Sequence, residues 1–298
     1  MDNAQAPSLF SEIIESMLLF GILALVLNLI ARSKGFFHLG ARPLIAHQYG
    51  LGLSQVVTCF GIYLGYSLLF VPLLSKIIQH FFSMAFHERP PIIFFSWIQL
   101  ITVTLTMISL YLYSDNKDSQ LLKYILKDRS IPNPSSKTGD FVYGAMSWIL
   151  GFPVAAFIGQ VSDLAIYLVA GIQTYEQVAV KYLKMTIHSP IMLCIALFTI
   201  LIAAPVTEEF LFRGMLQSWL KKKMGTKPAI ITASLAFALF HLSASQGLGN
   251  ISLALSLFSF ACFLGFIYEK KASLYASIGL HVTFNTVSTF RILFFTEG

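Results

Sequence analysis

Apolar residues in this chain fall in long unbroken runs, not in the alternating or one-sided patterns of a soluble fold. Eight runs of roughly 18–28 residues stand out, at about 13–31, 52–78, 91–113, 141–170, 190–219, 228–246, 249–268 and 273–295. Runs of that length match the ~30 Å hydrocarbon core of a bilayer. Helix is the element they predict, because a helix satisfies its own backbone polar groups where no water is available. The predicted fold is all-α, a polytopic transmembrane helix bundle of about eight spans. The stretch 114–140 is the most polar and ends in a Pro/Ser/Lys-rich tail, which reads as a solvated linker. It divides a three-span region with a polar cytoplasmic loop (1–140) from a five-span region (141–298). No internal repeat is visible. Gly61 and Gly65 have the GxxxG spacing that suits close helix packing.

Composition agrees with this pattern. The 298 residues are 56% hydrophobic and only 11% charged, against about 25% charged in a soluble domain. The opening MDNAQAPSLFSEIIES is acidic and lacks the basic region of a cleavable signal peptide, so the first run is expected to stay as an anchor. Cys59, Cys194 and Cys262 lie inside apolar runs without metal-ligand spacing, and read as small buried hydrophobes.

The net charge of +6 is accounted for by topology. The loops after spans 1, 3, 5 and 7 hold Arg32, Lys34 and Arg42; Lys117, Lys123, Lys127, Arg129 and Lys137; Lys221, Lys222, Lys223 and Lys227; and Lys270 and Lys271. Together they hold fourteen of the 20 Lys and Arg. Lys76, Arg89, Lys181, Lys184 and Arg291 fall on the other side. The rich side is expected to be cytoplasmic, with both termini outward. Nucleic acid is therefore excluded as the partner that the charge would otherwise suggest.

Ionisable groups inside spans are costly and mark function by default. They concentrate in the second half of the chain. Span 5 carries Glu208, Glu209 and Arg213. At about 100° per residue, Glu209 and Arg213 share a face as an i,i+4 pair, while Glu208 points elsewhere. Arg213 can neutralise Glu209, leaving Glu208 as a general base. Span 6 carries Phe237 and His241, and span 8 carries His281 and Asn285 on one face. Each feature alone has a plain structural explanation: a solvated Glu-Arg cluster, a packing histidine, an interhelical clamp. Depth joins them. At about 1.5 Å per residue, Glu208 lies about 17 Å from the cytoplasmic end of its span, His241 about 20 Å and His281 about 15 Å. Three spans thus place polar groups at one level, which implies a shared cavity open to the cytoplasm.

A carboxylate, two imidazoles and an amide can activate water and stabilise an oxyanion. They can also bind a divalent metal. No GxSxG or HExxH motif is present, so hydrolysis by activated water fits better than an acyl-enzyme.

The order EExxxR (Glu208, Glu209, Arg213), FxxxH (Phe237, His241) and HxxxN (His281, Asn285) resembles the CPBP intramembrane proteases. That family includes CAAX prenyl endopeptidases of the Ras-converting type and bacterial Abi-type proteins. Gly265-Phe-Ile-Tyr268 and Ser273-Leu-Tyr are similar to the family's approach to its last motif. The likeness covers about residues 190–290. It implies an intramembrane (metallo)endopeptidase with an eight-helix bundle. Glu208, helped by His241, would activate water; His281 and Asn285 would hold the oxyanion or complete the site. Glu209, Arg213 and Phe237 would support them. Glu208, His241 and His281 could hold a divalent metal such as zinc, and a metal-free glutamate mechanism serves equally. The implied partners are the lipid bilayer and a membrane-bound peptide or lipidated, CAAX-type protein. A bacterial inner membrane is the expected location. Two rival readings come from other classes. One is a non-proteolytic membrane scaffold or bacteriocin self-immunity protein of the same family. The other is a proton-coupled transporter, which would favour an inverted repeat.

Overall fold

The computed structural model describes residues 5–40, 50–87, 90–128, 134–171 and 178–295. The described residues form α1 (Gln5–Ser33), α2 (Leu53–Phe86), α3 (Ile92–Leu126), α4 (Lys137–Ala170), α5 (Val178–Thr186), α6 (Pro190–Met224), α7 (Thr226–Phe240), α8 (Gly249–Lys271) and α9 (Leu274–Phe295). The β pairing among them is a single bridge, Lys127 to Ser273. Seven helices, all but α5 and α7, are long and apolar enough to cross a membrane. The chain is an all-α integral membrane protein. Outward faces such as Leu18, Ile22, Leu25 and Leu29 of α1 carry large exposed apolar side chains, as lipid contact requires.

The expected sixth span, 228–246, is a shorter element. α7 has 15 residues, about 22 Å long, and stops at Phe240. The cause lies just beyond it. Ser243 Oγ accepts from the Ser245 amide, opening a 3₁₀ turn at Ala244–Gln246. The Asn250 side chain accepts from the Ser243 amide and donates to its carbonyl, and Gly247 takes φ 50°. Such side chains compete with the helix for its backbone groups. His241 therefore caps a helix end instead of sitting inside a span.

Two helices contain wide π turns. Tyr66–Phe70 lies in α2, and Thr199–Ala203 and Phe210–Gln217 lie in α6. The first two each run into an X-Pro step, Val71-Pro72 and Ala204-Pro205. A proline ring clashes with the carbonyl four residues back, and a wider turn relieves that clash.

α4 is the spine, packed along α9, α1 and α8. A Cβ on Gly144 would overlap the Ala276 carbonyl oxygen, and one on Gly279 would overlap that of Phe141. Gly61 and Gly65, by contrast, have nothing within 4 Å of an added Cβ, so their spacing does not mark a close contact. Gly279→Ala is expected to destabilise the bundle by about 1–3 kcal/mol through overpacking, whereas Gly61→Ala should cause no loss. Thermal unfolding in detergent checks both, and equal midpoints for the two variants would refute the contact.

The polar stretch ahead of the Pro/Ser/Lys tail is folded into the bundle, and residues 129–133 of the tail read as a solvated linker lie outside the described residues. α3 breaks at Asp118 (φ −164°, ψ 96°). Asp118 Oδ1 then accepts from the amides of Gln120 and Leu121, restarting the helix. Leu121, Leu122 and Ile125 are buried against α6, α8 and α9. Their spacing is amphipathic, a signal masked by Lys123 between them and by Asp118, Lys127 and Asp128 on either side. The same core contains Val56 and Cys59 of α2. Of the cysteines, Cys59 is buried, but Cys194 is exposed and Cys262 half-buried.

Contacts gather the basic loops on one face. Lys127 binds Asp140, which also lies 3.4 Å from Lys271. The Asp128 amide donates to the Ala272 carbonyl at 2.9 Å. Lys221 pairs with Glu269 at 2.6 Å, Lys222 donates to the Leu51 carbonyl and Lys270 to that of His38. Arg42, Arg89 and Arg129 lie outside the described residues.

Candidate active site

The acidic pair sits on α6 between two π turns, on the six-residue α-helical stretch Ala204–Glu209. Glu209 is fully buried. Its Oε1 accepts from Arg213 Nη1 at 3.1 Å and from His281 Nδ1 at 2.8 Å. Its Oε2 has no hydrogen-bond partner among the described residues. Arg213 is equally buried, donates through Nη2 to the Ala261 carbonyl at 3.1 Å, and lies 4.5 Å from the centre of the Phe237 ring. The expected Glu209–Arg213 pair is present, and Glu209 reaches further than expected by holding an imidazole.

Glu208 faces the other way. Its Oε2 is 3.6 Å from His241 Nε2 and 3.8 Å from His281 Nε2. These separations are too long for direct hydrogen bonds and suit a bridging water or substrate atom. The His241 Nδ1–H donates to the Phe237 carbonyl at 2.8 Å. A carbonyl or carboxylate oxygen only accepts, so both histidines hold a proton on Nδ1 and turn Nε2 toward Glu208. Side-chain exposure is 16% for Glu208 and 30% for His241, against 6% for His281. The opening to the outside is therefore at Glu208 and His241.

Phe237 forms the apolar wall, its ring 4.5 Å from that of His241, 5.9 Å from His281 and 5.2 Å from Phe212. Phe260, which sequence reasoning did not single out, covers the other side of His281 at 5.8 Å. A phenylalanine in an apolar run carries no signal of that kind.

Asn285 lies apart in its contacts. Its Nδ2 donates to the Ile200 carbonyl at 2.8 Å. In the π turn the Ala204 amide bonds back to Thr199, five residues away. The next amide in that series would be Pro205, which has none. Asn285 thus supplies the donor that Pro205 lacks, and ties α9 to the turn preceding Glu208. Pro205 was the legible signal that α6 needs an outside donor.

Glu208, His241 and His281 are the set expected to hold a divalent ion. Among the described residues, no group of three or more His, Cys, Asp and Glu could hold a metal ion. No step below passes through an ion.

Residues 190–287, about a third of the chain, match the family model for the Rce1-like type II CAAX prenyl endopeptidases. The matched region runs from the start of α6 into α9 and contains every residue of the site described above. It is consistent with the CPBP intramembrane proteases that the motifs resemble. No curated protein sequence and no solved structure matches the chain.

Proposed function

We propose that this protein is an intramembrane endopeptidase that hydrolyses a peptide bond of a membrane-associated peptide or protein with water activated by Glu208. The observation that carries the reading is one carboxylate oxygen facing two oriented imidazole nitrogens at 3.6 and 3.8 Å, at the open end of an otherwise buried cluster. The matched endopeptidase family supports it.

A water seated between Glu208 and His241 gives a proton to the carboxylate, and its oxygen bonds to the scissile carbonyl carbon. The carbonyl π pair moves onto oxygen. His281, paired with Glu209, can carry a second proton and donate it as a hydrogen bond from Nε2 to that oxyanion. When the adduct collapses, the C–N bond breaks and the amine takes the proton held by Glu208. The products are a carboxylate and an amine. Asn285 holds α6 in register through Ile200. The face where the basic loops gather would be cytoplasmic, in the inner membrane of a bacterium, with both termini outward. A lipidated CAAX-type protein is one substrate that this setting accommodates.

The test is cleavage of membrane-anchored peptides by the protein in lipid vesicles, with hydroxylamine present. A product ending in a free carboxylate, without hydroxamate, is expected. Hydroxamate would replace direct water attack by an acyl-enzyme, and no cleavage of any anchored peptide would overturn the protease reading. Chelation of divalent ions is expected to leave the rate unchanged. A rate lost on chelation and restored by zinc would put an ion in the reaction.

A further inference from the structure

We infer that the active site is served from the membrane face opposite the basic loops, so that substrates present the scissile bond from that side; the inference rests on the reaction proposed above. It reverses the expectation of a cavity open to the cytoplasm. Packing closes the cluster toward the basic face. From Glu209 to Lys221, α6 buries every residue except Leu216 and Trp219, which are half-buried. Ile125 of α3 lies so close that a Cβ on Gly214 would stand 2.7 Å from its side chain, and Leu51, Leu121 and Leu122 join the same core. On α8, a Cβ on Gly265 would stand 2.5 Å from Gln217 Oε1. Gln217 Nε2 donates to the Gly265 carbonyl and to Glu269, which pairs with Lys221 at 2.6 Å. This packed layer separates Glu208 from Lys221 by about 20 Å. α9 changes at the same level: His281 is buried, whereas Val282 to Ser288 are half-buried or exposed.

The other side is open. α7 begins just after Lys221–Lys223 and α8 ends at Lys270 and Lys271, so the connection between them lies opposite the basic face. α7 is about 22 Å long, while α8, with 23 residues, is about 34 Å. The connection therefore begins inside the bilayer, at His241. It carries Ser243, Ser245 and Asn250, with Ala244, Ser245 and Gly247 exposed. Non-helical backbone at membrane depth is tolerated where it lines water. Glu208, the other exposed member of the cluster, faces His241 across 3.6 Å. Water and an extended peptide segment thus reach Glu208 past this connection. Leu239, Leu242 and Leu248 expose apolar side chains beside it, which suits a segment held at a membrane surface. With the basic loops cytoplasmic, the substrate class is a peptide or protein that spans the membrane or is anchored in its outer leaflet, cut on the outward side. A lipid anchor, where there is one, would sit in that leaflet.

The test uses the full chain with a C-terminal affinity tag, reconstituted sparsely into phosphatidylcholine vesicles. α9 leaves the basic face at Leu274, so the tag follows its far end. Capture through the tag sorts vesicles with the tag outside from those with it inside. A charged, lipid-anchored peptide is then added to the outer leaflet, which it does not cross. Cleavage is expected with the tag outside and lost with the tag inside, until detergent lets both populations cleave. Cleavage confined to vesicles with the tag inside, equal in the two, or absent from both until detergent is added overturns the inference. No cleavage even in detergent would sink the protease reading, and a second readout still decides the side. Leu242→Cys, beside His241, and Lys223→Cys, in a basic loop, are treated with a membrane-impermeant maleimide. The unsubstituted protein gives the background of the native cysteines. Leu242→Cys is expected to label only with the tag outside, and Lys223→Cys only with it inside. Labelling of both from one side, or of Leu242→Cys from neither, overturns the inference whatever the peptide result.

Discussion

Glu208→Gln is expected to lower kcat by about 10⁴-fold while the helix bundle stays folded. General-base catalysis is worth about 10²–10⁴-fold. The upper end applies here because the same carboxylate takes the proton from water and returns it to the leaving amine. Glutamine has nearly the same shape and no basic oxygen of comparable strength. The structure does not lean on this carboxylate, which lies 3.6 and 3.8 Å from the two imidazole Nε2 atoms, beyond hydrogen-bond reach. Stability should therefore change by less than about 1 kcal/mol. Single-turnover cleavage of a membrane-anchored peptide, with an unfolding curve on the same sample, separates the two effects. A rate within tenfold of wild type would remove Glu208 as the base. Wild-type cleavage by both Glu208→Gln and His281→Ala would leave the cluster as the packing device of a membrane scaffold.

The long helices were legible because bilayer thickness imposes a length that a run of apolar residues displays directly. The convergence of Glu208, His241 and His281 was legible for a related reason: rise per residue turns sequence position into depth. Depth does not fix direction, however. Asn285 shares a face with His281 in sequence, yet its amide serves the carbonyl freed near Pro205. Reading that needed the π turn at Thr199–Ala203, which the period of 3.6 does not contain. The end of α7 was written in the Ser, Gly and Asn residues from 243 to 250, but Leu239, Phe240 and Leu242 hid it in an apolar average. The burial of Leu121, Leu122 and Ile125 was hidden in the opposite way, by the charged residues around them, of which Lys123 is exposed while Lys127 and Asp128 are themselves buried.

Glu209→Ala is expected to destabilise the protein by about 3–5 kcal/mol, the cost of leaving a buried charge without its partner. Arg213 would then keep only the Ala261 carbonyl and the Phe237 ring, far from water. Cleavage should fall as well, because His281 would lose the acceptor that orients its Nδ1–H. One substitution thus confounds two roles, and a double variant separates them. Glu209→Leu with Arg213→Met removes both charges and replaces them with apolar groups of similar volume, a swap that is often neutral or stabilising. The unfolding temperature of that variant should return close to wild type. Its kcat should not, since nothing holds His281 toward the substrate. If stability and kcat recover together, Glu209 serves only to neutralise Arg213. If stability alone recovers, Glu209 joins the two functions: one oxygen neutralises a buried cation and also aims the imidazole that meets the substrate.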